Sequence, residues 1–228
     1  MRSTSCFEYS NIPLTGIVPR SDTVAIIGEI MNYGARYLVF TSTIGSDLFF
    51  SHYHEPHTDH VFLAIGSQTL KSIRSHGFDG VKPDRMDSSG LGDLIAGLVK
   101  KGEKVALIRS NRSSMELPDI LKKTGIDFRE FTIYSIVEKK GDMLEKFILK
   151  NQVFGIIVTS SLEADILSKT CGEIIKSRDI NLFPIGTPTE TTLVSAGLKN
   201  IALKGNSSVE SLIAEIEKKY CHHSGEWI

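Results

Sequence analysis

The sequence predicts an α/β protein with parallel sheets, built as two domains from one duplicated plan. Three observations carry this. Short apolar runs such as Tyr37–Phe40, Lys104–Arg109 and Phe154–Val158 alternate with helical stretches of about ten residues. The runs are continuously apolar rather than alternating, as strands covered by helices on both faces require. The second half also restates the first. Ser42 to Ser160 is 160 − 42 = 118, Gly66 to Gly186 is 186 − 66 = 120, and Leu94 to Leu212 is 212 − 94 = 118. VFTS answers IVTS, IGSQT answers IGTPT, and SSGLGDLIA answers SSVESLIA. A period near 120 residues is a domain duplication, not a solenoid.

Taken in order, Cys6–Tyr9 suggests a short edge strand, and the segment from Pro13 to Val18 an extended connector. Ser21 or Asp22 caps a helix that ends near Gly34. Tyr37–Phe40 is a strand entering Thr41 and Ser42, followed by a short helix around Asp47–His52. Val61–Ile65 is a buried strand that stops at Gly66. Ser67 is the expected N-cap of the next helix, which Gly77 closes. Phe78–Val81 is a weak strand, and Ser88 or Ser89 begins a helix through Leu98. Lys104–Arg109 is a strand, residues 114–124 a helix, and Phe128–Val137 an extended stretch.

The plan then restarts. A helix spans Asp142–Lys150, and a strand runs from Phe154 to Val158 into Thr159 and Ser160. A helix continues to about Ser177. Leu182–Ile185 is a strand entering Gly186 and Thr187, with a helix closed by Gly197. Ile201–Leu203 is a strand, and Ser207 or Ser208 begins the last helix. The expected domains are 17–132, and 1–14 together with 136–228, with connectors near 13–18 and 131–137.

Hydrophobic content of 41%, charged content of 23% and a net charge of −1 describe an ordinary globular chain. They give no electrostatic support to binding nucleic acid or an anionic membrane. No apolar run approaches a bilayer span, and the N-terminus has no secretory core. Cys6, Cys171 and Cys221 are odd in number and far apart, which suggests reduced thiols and a cytoplasmic protein. His52, His54, His57 and His60 lack helical ligand spacing, and Pro56 interrupts them, so a solvated loop is expected and no metal. GxGxxG, the Walker lysine motif and the nucleophile elbow are all absent.

Ligands of parallel α/β sheets bind beyond the C-terminal ends of the strands. Four turns lie there: Thr41-Ser42, Gly66-Ser67-x-Thr69, Thr159-Ser160 and Gly186-Thr187-x-Thr189. They offer hydroxyls and helix N-terminal amides, which suit carboxylates or phosphates. If the domains face each other, the four turns line one cleft for a large anionic ligand. Arg109 and Ser110 follow another strand end. The competing expectation for these residues is capping of their own helices and, for Arg109 and Arg112, a solvated loop.

VFTS, IGSQT…GF, ALIRS, the solitary Tyr134, IVTSS and IGTPTETTLVSAGL, in this order, resemble the uroporphyrinogen-III synthase family over about residues 13–220. The resemblance implies two flavodoxin-like domains joined by a two-stranded ladder. It also implies closure of the linear tetrapyrrole hydroxymethylbilane, with inversion of the last ring, loss of water, and no cofactor. Tyr134 matches a tyrosine proposed to assist departure of the substrate hydroxyl. Thr69, Thr189, Ser42 and Ser160 match turn residues. The family usually opens with a further strand and helix, so a missed upstream start or a shortened homologue is expected. The expected assembly is a monomer. A non-catalytic binding protein for a polycarboxylate is the rival expectation.

Overall fold

A computed structural model of the chain describes residues 6–55, 59–139, 143–206 and 208–221. The chain forms two compact units, one of residues 17–137 and one of residues 1–16 with 138–228. Expectations for Ser207, His57 and the extreme C-terminal tail fall outside the described residues.

The sheet of the 17–137 unit begins with β1 (Thr15–Pro19). Then follow α1 (Thr23–Tyr33), β2 (Tyr37–Phe40), α2 (Thr43–Phe50), β3 (Val61–Ala64), α3 (Ser67–Ser75), α4 (Ser88–Leu98), β4 (Lys104–Ser110), α5 (Glu116–Thr124) and β5 (Asp127–Glu138). One sheet takes the order β1-β5-β4-β2-β3. β3, β4 and β5 join it in parallel, with Tyr37 opposite both Val61 and Val105. All four residues of β2 are buried, which explains its unbroken apolar sequence. Side chains alternate between the two faces. Leu38 and Phe40 join an aromatic core with Phe49, Phe50 and Phe62, while Tyr37 and Val39 join Leu91, Ile95, Leu107 and Leu121. Phe40 and Leu107 have no exposed surface, so each adds about 1.5–3 kcal/mol of hydrophobic stabilisation. Gly34 and Gly125, with φ of 70° and 71°, close α1 and α5.

The other unit carries α6 (Met143–Lys150), β6 (Gly155–Val158), α7 (Ser161–Ser177), β7 (Asn181–Pro184), α8 (Thr187–Ser195) and α9 (Val209–Tyr220). β6 and β7 pair in parallel from Gly155↔Asn181 to Val158↔Pro184. Val158, Leu167, Leu182 and Leu193 fill one core. Phe183, Leu212 and Ile216 fill a second, against which Phe7 packs. A cavity of about 720 Å3 lies along β6, walled by residues 6–14, Phe147, Phe154 and Ile216.

Several expectations change. Cys6–Tyr9 forms no strand. Phe78–Val81 and Ile201–Leu203 shrink to single bridges, Leu63↔Val81 and Leu182↔Ile201, because only one residue of each run meets its neighbour. Ser67 is not a cap: Gly66 holds that position, and Ser67 is the first helical residue. α4 begins at Ser88, as expected, and Asp87 before it is the cap. Cys6 and Cys221 form a disulfide, against the expectation of reduced thiols; 215 residues separate them, so no local spacing announced it.

Candidate functional site

The turn from β2 to α2 is shaped by Ser42. Its backbone is extended, at φ −159° and ψ 153°, and its Oγ accepts the Gly45 N–H, which satisfies one of the free amides of the first turn. The Gly45 N to Ser42 Oγ distance is 3.0 Å. The same oxygen lies 2.9 Å from Tyr134 Oη. Gly45 permits this approach: a Cβ there would stand 3.0 Å from Ser42 Oγ and 3.7 Å from Tyr134 Cε1.

Tyr134 sits on β5 and is 3% exposed. The β4–β5 register slips between Arg109 and Ser110, so Ser110 stands opposite Tyr134 instead of Ile133. The Tyr134 carbonyl accepts the Asn111 N–H at 3.3 Å. Asn111 Oδ1 accepts the Ile136 N–H at 2.8 Å. The strand on either side of the tyrosine is thereby fixed. Ser110 Oγ accepts the Arg112 N–H at 3.2 Å and meets Ser113 Oγ at 3.1 Å, so it organises its own turn.

Arg109 departs from the expected solvated loop. Its guanidinium is buried, donates to Glu130 at 2.6 Å and also donates to the Ser114 carbonyl. A buried guanidinium so paired is a structural brace, not a free anion receptor.

The turn from β3 to α3 brings Gly66, Ser67 and Thr69 to the end of the strand beside β2. Gly66 is extended, at φ −162°, and gives no side-chain cap. Ser67 Oγ donates to Met86 Sδ at 3.2 Å. Thr69 is buried, so its side chain faces the fold rather than solvent.

Corresponding turns follow the paired strands of the other unit. Ser160 caps α7 with φ −157° and ψ 159°, accepting the Glu163 N–H at 3.2 Å. Thr159 Oγ1 donates to the Glu163 carboxylate. Gly186 caps α8 by its extended backbone, Thr187 is the first helical residue and Thr189 is buried. The Thr187 carbonyl accepts from Thr191 Oγ1 at 3.0 Å.

Within each unit the structure therefore brings two hydroxyl-bearing turns to the ends of adjacent strands. In the 17–137 unit it adds a tyrosine. Gly45, Asn111, Glu130 and Glu163 escaped the sequence reading. The spacing Ser160-x-x-Glu163, which matches a capping box, was the available signal for Glu163. Among the described residues, no group of three or more His, Cys, Asp or Glu is placed to hold a metal ion. No helix among them is long and apolar enough to cross a membrane.

A synthase structure from Helicobacter pylori, described as uroporphyrinogen-III synthetase, is similar in fold. It is 18% identical with a TM-score of 0.68, over 96% of this chain and 95% of that one. A selenomethionine mutant of uroporphyrinogen III synthase from Thermus thermophilus is 14% identical with a TM-score of 0.59, over 91% and 86%. The native synthase of the same bacterium is 15% identical with a TM-score of 0.50, over 89% and 84%. At these identities the likeness shows a shared α/β fold. The sequence family described as Uroporphyrinogen-III synthase HemD matches residues 5–214. Matched over nearly its whole length, the chain belongs to the uroporphyrinogen-III synthase family.

Proposed function

We propose that this chain closes hydroxymethylbilane to uroporphyrinogen III by the following use of its residues. The family match over residues 5–214 carries the reaction. The substrate's terminal hydroxyl leaves as water with a proton from Tyr134. The azafulvenium cation so formed is attacked by the substituted carbon of the last ring. A spiro intermediate opens and recloses with that ring inverted. The proton lost when the ring system regains aromaticity restores the phenol. Hydroxymethylbilane becomes uroporphyrinogen III plus water, so no redox partner is required. The electron-rich pyrrole supplies much of the reactivity, and the protein's task is to hold the folded chain so that inversion outruns simple closure. A weak acid such as a phenol suffices for the leaving hydroxyl.

The substrate carboxylates fall to helix N-terminal amides at Thr41-Ser42, Gly66–Thr69, Thr159-Ser160 and Gly186–Thr189. Their shared backbone chemistry in both units supports this assignment. Arg109 and Ser110 act behind the site by fixing the strand end opposite Tyr134. The two units are flavodoxin-like domains descended from one duplicated plan, spanning 17–132, and 1–14 with 136–228. The protein acts as a cytoplasmic monomer without cofactor.

The test incubates the protein with hydroxymethylbilane, oxidises the products and separates the uroporphyrin isomers. Isomer III is expected. Isomer I alone, the outcome of unassisted closure, would sink the reading; thermal stabilisation by uroporphyrin without turnover would then favour a binding protein.

A further inference from the structure

The direction of the Tyr134 proton is not set by the tyrosine itself. A phenol oxygen has one hydrogen to give and can accept another. Its partner Ser42 Oγ, 2.9 Å away, also has one hydrogen and two lone pairs, so the pair can bond in either sense. Ser42 Oγ already accepts the Gly45 N–H at 3.0 Å. That amide belongs to the first turn of α2, at the positive end of the helix. One lone pair is engaged; the other and the hydrogen remain, and an accepted hydrogen bond polarises the hydroxyl toward donating its own hydrogen.

We infer that Ser42 is a positioning residue for the reaction: it donates to Tyr134 Oη and turns the phenol's own hydrogen toward the departing hydroxyl of the substrate. This rests on the synthase reading above. The donors then run one way, from Gly45 N–H to Ser42 O–H to Tyr134 O–H. When the phenol gives up its proton, the C–O bond of the substrate breaks and water leaves. The phenolate keeps the Ser42 hydrogen bond, so its charge is held by the N-terminus of α2 through one hydroxyl. The proton released as the macrocycle closes returns to the phenolate.

Two further observations support a built arrangement. Gly45 leaves room for the hydroxyls to meet. Ser160, in the same backbone conformation and the same capping role, has no tyrosine on its oxygen among the described residues. A serine needed only as a cap would require no such partner.

The test measures kcat and KM with hydroxymethylbilane, isomer composition and the thermal midpoint of the full chain. It uses wild type, Ser42→Ala, Ser42→Gly, Ser42→Thr, Tyr134→Phe and Ser42→Gly with Tyr134→Phe. Glycine is itself a good N-cap, so Ser42→Gly carries the test if Ser42→Ala does not fold. Loss of the hydroxyl is expected to lower kcat about tenfold with little change in KM. Threonine restores most of kcat. Removing Ser42 from the Tyr134→Phe protein costs nothing further. The control Ser208→Ala removes a serine cap from α9 and is expected to lower the midpoint by about 2–4 °C while kcat holds. Loss of rate that appears equally with and without the Tyr134 hydroxyl, or that lies wholly in KM, overturns the inference, as does full activity of Ser42→Gly. Wild type yielding isomer I alone overturns the synthase reading instead.

Discussion

β2 and β6 each lead into a serine-capped helix, yet they are differently enclosed. β2 is paired on both edges, by β3 and β4, and all four of its residues are buried. β6 pairs only with β7 among the described residues, and Gly155, Ile156 and Ile157 are half-buried. Its side is bordered by the 720 Å3 cavity and by residues 6–14, where Phe7 stacks on Phe154 at 4.7 Å. A small sheet buries less apolar surface. That unit is also the one with a covalent closure, Cys6 to Cys221. The 17–137 unit contains no cysteine and relies on packing. The two units thus reach stability by different means, and the better enclosed one carries the Ser42–Tyr134 pair.

Removing the closure gives the largest expected effect. Cys6→Ser, or reduction of wild type, should destabilise the unit of residues 1–16 and 138–228 by about 2–4 kcal/mol. The 17–137 unit should be spared. Denaturant titration read by hydrogen exchange in each unit checks this. Equal loss of protection in both would break the comparison, because it would mean that they unfold together.

Next in size is the chemical asymmetry. Tyr134→Phe should lower kcat about a hundredfold, roughly 2.7 kcal/mol of barrier. The lost hydrogen bond to Ser42 should cost only about 1 kcal/mol of stability. Steady-state rates beside a urea titration separate the two. A full rate in Tyr134→Phe would remove the reason for placing the chemistry in one unit.

A smaller effect sharpens the contrast within the strands. Tyr37 and Gly155 open β2 and β6 at the same register. Tyr37 Oη reaches the Leu98 carbonyl at 2.9 Å and Glu103 at 3.0 Å. At Gly155 a Cβ would stand 2.3 Å from Phe183 Cε2 and 2.9 Å from the Asn181 carbonyl. Gly155→Ala should therefore cost about 1–3 kcal/mol, measured as a lower urea midpoint. A neutral result would show that Phe183 moves aside and that β6 is loosely packed.

What could be read in the sequence follows from the range of the interactions involved. Tyr37–Phe40 and the Val105–Ile108 centre of the expected strand Lys104–Arg109 were legible because a strand buried on both faces must be apolar there. Gly34, Gly77 and Gly197 were legible at helix ends because they take the left-handed conformation locally. The turns at Ser42 and Ser160 were legible as a repeated local pattern, and both do cap helices. Side-chain direction was not legible: Thr69 and Thr189 turn inward from their first helical turns. Partnerships between distant residues were not legible either. Ser42 meets Tyr134 across 92 residues, Arg109 meets Glu130 across 21, and Cys6 meets Cys221 across 215. Each depends on strand order and register, which local composition does not encode.

The smallest expected effect uses the helix caps. α4 is capped by a carboxylate, Asp87, whose Oδ1 accepts the Gly90 N–H at 2.7 Å. α2 is capped by the neutral hydroxyl of Ser42 and has no acidic residue in its first turn. The Gly90 amide, and after it Arg85, hold the Asp87 carboxyl below its usual value of 3.8. Because the folded form binds its proton less readily than the unfolded form, the charged cap stabilises the fold above about pH 4. That contribution is lost as pH falls through the depressed folded value. The Ser42 cap has no such titration. Below about pH 4 the Gly90 amide should therefore lose protection against exchange before the Gly45 amide does, and Asp87→Asn should flatten this dependence while still capping α4. Equal acid sensitivity at the two helix starts would mean that acidification acts on the whole molecule and not through this cap.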